Sequence, residues 1–141
     1  MSVKTARALG AALALLALAA CQSDLHDFSK PPEGAAKLAA IRSRVFATGD
    51  KQKTLRAAIA ALQQLGFVVD RADFAAGSVS GAKVDEYLLR LTVTAAPAGA
   101  DRLLVRAVAR YDVTPVLVSE PYEKFFATLS RIMGLEALPA G

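Results

Sequence analysis

The chain has 141 residues, with 17 Lys and Arg against 13 Asp and Glu, a single Cys and a single His. One cysteine excludes an internal disulfide, and with only one histidine beside it a His/Cys metal centre lacks ligands. Residues 1–20 hold two of the basic groups and no acid, so the rest carries 15 against 13, a net +2, too little for the basic stripe of a nucleic-acid binder.

The chain opens with Lys4 and Arg7, followed by Ala8–Ala20, thirteen residues without a charge. A bilayer-spanning helix needs roughly 20 apolar residues, whereas the hydrophobic region of a secretory signal needs ~7–15. The segment is read as a signal peptide. Its end, Leu18-Ala19-Ala20-Cys21, resembles the lipobox of bacterial lipoproteins. That resemblance implies cleavage before Cys21, a diacylglyceryl thioether on its sulfur, and in many species a further fatty acyl group, such as palmitate, on the freed amine. Only a thiolate is nucleophilic enough for that step. Two or three chains make an effectively permanent anchor. In enterobacterial members an Asp after the Cys favours the inner membrane, so Gln22 implies the outer membrane, facing the periplasm.

Residues 21–40 are read as the lipidated N-terminus and a flexible tether. Asp24, Asp27, Ser29, Lys30, Pro31, Pro32, Glu33 and Gly34 cluster there, and Pro31-Pro32 forbids a helix at that point. The single histidine, His26, lies in this stretch and is expected to be exposed, holding no metal.

Residues 41–141 are expected to form one globular domain. Ile41–Phe46 alternates as a first strand. Asp50 is placed to cap a helix over Lys51–Leu65, in which Leu55, Ile59, Leu62 and Leu65 share a stripe with Ala58 and Ala61. Gly66 suits a left-handed helix terminus, with Phe67 folding back on Leu62. Phe67–Asp70 reads as a second strand, Ala75-Ala76-Gly77 as a turn, and Ser78–Ala82 as a third strand weakened by Gly81.

Glu86–Ala95 is the clearest strand. Tyr87, Leu89, Leu91 and Val93 point to one side, and Leu88, Arg90, Thr92 and Thr94 to the other. Pro97–Asp101 makes a hairpin into a fifth strand. There Leu103, Val105, Ala107, Ala109 and Tyr111 face inward, and Leu104, Arg106, Val108 and Arg110 outward. A last helix opens at Ser119-Glu120-Pro121. Its stripe is Tyr122, Phe125, Phe126, Leu129, Ile132 and Met133, and Gly134 ends it.

The order is β-α-β-β-β-β-α. Short turns between strands require antiparallel pairing, and two helices with single apolar stripes should cover one face. The expected fold is an α+β two-layer sandwich. The helix ending Leu65-Gly66-Phe67, the strand into Asp70-Arg71-Ala72-Asp73 and the turn to Gly77-Ser78-Val79 resemble the helix-grip domains of BamC-type lipoproteins. Those are accessory subunits of the outer-membrane β-barrel assembly machine, with two or more such domains where this chain has one. Arg44-Val45-Phe46 before an acidic cap, and Phe125-Phe126 in a closing helix, also resemble small bacterial lipoproteins that are uncharacterised.

The sequence lacks the groupings that catalysis needs. The carboxylate pairs Asp70/Asp73 and Asp85/Glu86 sit at strand ends and read as solvated turn residues; glycosidase chemistry needs two carboxyls facing each other across a cleft. Gly77, Gly81 and Gly99 have no following Lys-Ser/Thr to make a phosphate loop. No cofactor is expected. The surface expected to act is the sheet face away from the helices. It carries Arg90, Arg106 and Arg110 among Leu88, Leu104 and Val108, with Arg42, Arg44 and Phe46 joining by strand parity. Mixed arginine and apolar groups suit a protein partner or an anionic glycan or lipid head group. The expected function is a non-catalytic, lipid-anchored accessory module docking an envelope protein. The alternative is a carrier or sensor for a lipid or cell-wall fragment.

Overall fold

The computed structural model describes residues 33–84 and 86–141; Cys21 and His26 lie outside them. The compact unit spans Lys37–Gly141. Three helices and seven strands follow in the order α1 Glu33–Arg42, β1 Ser43–Phe46, α2 Lys51–Gln64, β2 Val68–Asp73, β3 Ser78–Val84, β4 Leu88–Pro97, β5 Leu103–Tyr111, β6 Thr114–Pro115, α3 Glu120–Met133 and β7 Leu138–Pro139. The fold is α+β, with one antiparallel sheet in the order β2-β3-β4-β5-β1-β7 and β6 paired to β5.

The reading of residues 33–42 is corrected. They are helical, not a tether ending at residue 40 and a strand opening at Ile41. Four alanines, a Leu and a Lys in EGAAKLAAIR are strong helix formers, and no Pro follows Pro32 to break them. β1 begins only at Ser43, where pairing with Arg106 of β5 starts.

Helix α2 forms as its caps dictate. The Asp50 side chain accepts from the Lys53 backbone N–H at 3.0 Å. At the far end Gly66 has φ 86°, and Phe67 N–H reaches the Leu62 carbonyl at 2.9 Å while Gly66 N–H reaches Gln63 at 3.1 Å. That pair of bonds is a Schellman closure, and it turns the chain directly into β2. Gly77, φ +75°, makes the β2–β3 turn, and a Cβ there would lie 2.7 Å from the Ala95 carbonyl oxygen.

The core lies between α2, α3 and one sheet face. Leu55 and Leu62 of α2 and Tyr122, Phe125 and Leu129 of α3 meet Val79, Leu91, Val93 and Val105, all nearly inaccessible to solvent. Phe125 and Phe126 stack edge to face at 5.3 Å, an arrangement worth about 1 kcal/mol beyond burial. Ile59, Leu65, Ile132 and Met133, expected in the stripes, are only partly buried at the margins.

One buried hydroxyl ties distant segments together. Tyr122 Oη donates to the Val116 carbonyl at 2.7 Å and accepts from Ala109 N–H at 3.2 Å. It also accepts from Arg42 Nε at 3.1 Å. Arg42 Nη2 adds a bond to Val116 O at 3.3 Å, and its guanidinium lies 5.6 Å from the Tyr122 ring centre. Removing the hydroxyl leaves the Ala109 N–H and the Arg42 Nε–H without their partner, while the Val116 carbonyl keeps Arg42 Nη2; each donor that finds no substitute costs about 1–3 kcal/mol. Tyr122→Phe should therefore lower unfolding free energy by about 3 kcal/mol, read as a shifted urea midpoint with an unchanged slope.

Candidate interaction surface

Strand register decides which arginines share the sheet face that the helices leave open. Arg90 lies opposite Arg110 and Thr94 opposite Arg106, and Ser43 and Val45 of β1 continue the row beside Arg106 and Leu104. Arg90, Arg106 and Arg110 thus stand where the alternation of β4 and β5 puts them. Among the described residues neither Arg106 nor Arg110 has an ion-pair partner, and both are exposed.

Arg42, Arg44 and Phe46 are not on this face, contrary to the parity argument. Arg42 ends α1 and is buried against Tyr122. Arg44 pairs with Val105 and Phe46 with Leu103, both inward-facing positions. Phe46 is fully buried, and the Arg44 guanidinium sits 5.1 Å from the Phe126 ring centre. The parity count failed because it began at Ile41, inside the helix, so it carried no information about which side β1 would offer.

A β-bulge supplies what the sequence reading missed. Val69 pairs with Gly81 and Arg71 with Ser80, so Asp70 is an extra residue in β2. The insertion turns Asp70, Arg71 and Asp73 to the open face. Asp70 there takes two bonds from Arg90, at 3.0 and 2.8 Å, and Ser80 Oγ donates to it at 3.3 Å. Asp73 instead closes the turn by accepting from Ala76 N–H at 2.9 Å. Arg71, Ser78, Ser80, Arg90 and Thr92 line a shallow basin of about 520 Å³ beside this pair.

The Asp70–Arg90 pair has an electrostatic reason. Arg90 and Arg110 are cross-strand neighbours, and like charges directly opposite one another repel. Asp70 neutralises the first, which leaves Arg110 and Arg106 as the uncompensated cations of β4 and β5. The bonds from Arg90 hold the Asp70 carboxyl below its ordinary value, and the Arg90 guanidinium is correspondingly harder to deprotonate. Glu120 and Lys124, one turn apart on α3, shift each other the same way through their own bond. All four groups belong to solvent-exposed pairs.

The other candidate groups disperse. Glu86 stands in an exposed turn, and Asp85 lies outside the described residues. Among the described residues no three His, Cys, Asp or Glu side chains gather as a metal site, and no helix is long and apolar enough to cross a membrane. A groove of about 320 Å³ runs between α2 and the end of α3, lined by Ala57, Ala60, Ile132, Met133 and Leu135.

Fold and surface together define a two-layer α+β domain with one open, arginine-bearing sheet face. Compared with models of known protein families and with curated proteins, the chain matches neither a family nor a curated relative.

The Asp70 pair makes a prediction about acid. Its folded pKa lies below the unfolded one, so its stabilisation is fully present above the ordinary carboxyl value of 3.8 and is lost as pH falls through the folded value. NMR titration of the Asp70 carboxyl should give a midpoint under 3.8 that moves back toward it in Arg90→Gln.

Proposed function

We propose that this protein is a lipid-anchored accessory module of the cell envelope, held through Cys21 at the outer membrane and facing the periplasm, which docks an envelope protein on its open sheet face without catalysing a reaction. The observation that carries the docking is the alternation of Arg106 and Arg110 with Leu104 and Val108 on a surface the helices leave uncovered. Arginine can bond bidentately and lose its hydration at modest cost, and aliphatic side chains beside it bury area on contact, so the mixture suits a protein interface. The anchor is supported by the Leu18-Ala19-Ala20-Cys21 motif at the end of a short apolar segment. The non-catalytic reading draws on the engagement of two candidate carboxyls, Asp70 by Arg90 and Asp73 by the Ala76 N–H.

A second reading, a carrier of lipid or cell-wall fragments, draws on the groove beside Ile132 and Met133. Its volume sits at the low end of the roughly 300–1,000 Å³ of ligand sites. The space between helices and sheet is filled by Phe46, Leu62, Val93, Phe125 and Leu129, so a lipid would lie on the surface.

Intact-mass analysis of the membrane-extracted protein should show a chain starting at Cys21 with fatty adducts; residues 1–20 retained without adduct would overturn the anchor. Crosslinking in membranes should recover one specific protein with the natural chain and not with R106E/R110E, circular dichroism being unchanged. Equal recovery with that variant removes the sheet face as the docking site. Lipid in the mass spectrum of the native, purified chain would favour the carrier.

A further inference from the structure

Most of the exposed large apolar side chains are gathered at one end of the sheet. The β3–β4 and β5–β6 hairpins turn there side by side. Val84 pairs with Leu88 across the first hairpin, Asp112 N–H bonds the Leu88 carbonyl at 3.0 Å, and the Tyr87 and Tyr111 rings meet edge to face at 6.3 Å. Val113 projects beyond them. Val84 is 81% exposed, Tyr87 58% and Val113 87%, a costly display of apolar surface for two hairpin tips that face only water.

Beside the tyrosines lies a concavity of about 550 Å³, lined by Glu86, Tyr87, Tyr111, Asp112 and Thr114. Aromatic faces beside carboxylates are the surroundings that hold an alkylammonium group. Asp112 takes a left-handed backbone, φ 50°, which places it at the lip of the second tip. Lys83 is turned back to the Leu65 carbonyl at 3.3 Å and lies over the Phe67 ring, and Arg110, one residue before Tyr111, stands on the other side of the sheet by strand alternation.

The N-terminal chain joins the domain close to this end. Arg42, the last residue before β1, is bonded to the Val116 carbonyl. Val116 N–H bonds Ala109, two residues before Tyr111, and the next two residues, Leu117 and Val118, are exposed. Helix α1 therefore hands over to β1 on the tip side of the sheet.

We infer that the paired hairpin tips are a bilayer contact, seating Val84, Leu88 and Val113 in the interface and holding the ammonium of phosphoethanolamine head groups between Tyr87, Tyr111, Glu86 and Asp112. The inference rests on the Cys21 anchor, which supplies proximity. Tyrosines belong at head-group depth, where an apolar ring and a polar hydroxyl are both satisfied. Two carboxylates repel anionic lipid and accept hydrogen bonds from the three N–H donors of the ethanolamine ammonium, which the choline head group lacks, so the contact selects ethanolamine over both. The partners already proposed keep the sheet face, which the tips leave open.

The chain has no Trp, so V113W and A98W each create a single emitter, the first at the tips and the second in the β4–β5 hairpin. Those hairpins lie at opposite ends of β4, about 30 Å apart at ~3.3 Å per residue. The full mature chain is reconstituted in phosphatidylcholine vesicles with brominated acyl chains. V113W emission should shift to the blue and be quenched, while A98W should do neither. Replacing part of the lipid with phosphatidylethanolamine should deepen the V113W quenching, phosphatidylglycerol should not, and E86Q/D112N should lose the ethanolamine increment. Equal quenching at the two positions overturns the bilayer contact. An increment that phosphatidylglycerol reproduces, or that survives E86Q/D112N, overturns the head-group assignment. A V113W shift produced only by added envelope protein, without bromolipid quenching, overturns the proposal in favour of a protein partner. Intact mass of the same sample reads the anchor separately. If Cys21 is unmodified the anchor reading fails, and quenching of the chain by added vesicles still decides the tips.

Discussion

The Tyr122 hydroxyl is the interaction on which the arrangement of this domain turns. It is buried among apolar side chains, where a phenol without partners would be strongly disfavoured, and it finds three: Arg42, Ala109 and Val116. Those residues come from the end of α1, the middle of β5 and the connection into α3. Satisfying one hydroxyl thus fixes where the N-terminal helix ends, how β6 folds back along β5, and where the closing helix begins. A buried arginine is tolerated because its donors are bonded to the phenol and to a carbonyl, and its plane lies near the aromatic ring.

With α3 fixed in this way, α2 and α3 cover one sheet face and leave the other open. The consequences for the arginines are opposite on the two sides. Arg42 and Arg44 become part of the packing, each set against an aromatic ring, where guanidinium stems fill space as aliphatic chains do. Arg106 and Arg110 stay exposed, and among the described residues no carboxylate pairs with them. The bulge at Asp70 sharpens that contrast, since it relieves the repulsion between Arg90 and Arg110 by neutralising the former alone. A sheet edge that might invite pairing with another chain is at the same time bent and charged, by Asp70, Arg71 and Asp73 on β2.

The open sheet face and the hairpin tips would let one small domain serve two contacts. The face is charged and broad, suited to a protein held in a defined orientation. The tips are apolar and aromatic. A lipid anchor of the kind proposed gives proximity without orientation. A second, weaker hold at the tips would add orientation and present the arginine face sideways to a neighbour.

Much of this was legible in the sequence because it rests on local chemistry. The Asp50 cap, the Leu-Gly-Phe closure of α2, the alternation of β4 and β5 and the stop at Gly134 depend on residues within a turn or two of one another, and the same side chains appear in those roles. An α+β sandwich followed from them. The side on which a residue would fall when its strand had no internal pattern was not legible: Ser43–Phe46 is four residues long, and only pairing with β5 assigns Arg44 inward. Nor was the role of Tyr87 and Tyr111, which read as core by alternation but lie past the end of the helical cover, or the bond between Asp70 and Arg90, twenty residues apart and joined across a bulge. Periodicity and caps are properties of the chain, so the sequence determined the elements and their order. Facing, pairing and exposure are properties of which segments come to lie beside one another, so tertiary structure alone decided which arginines are buried, which acid is paired, and which apolar groups meet the solvent.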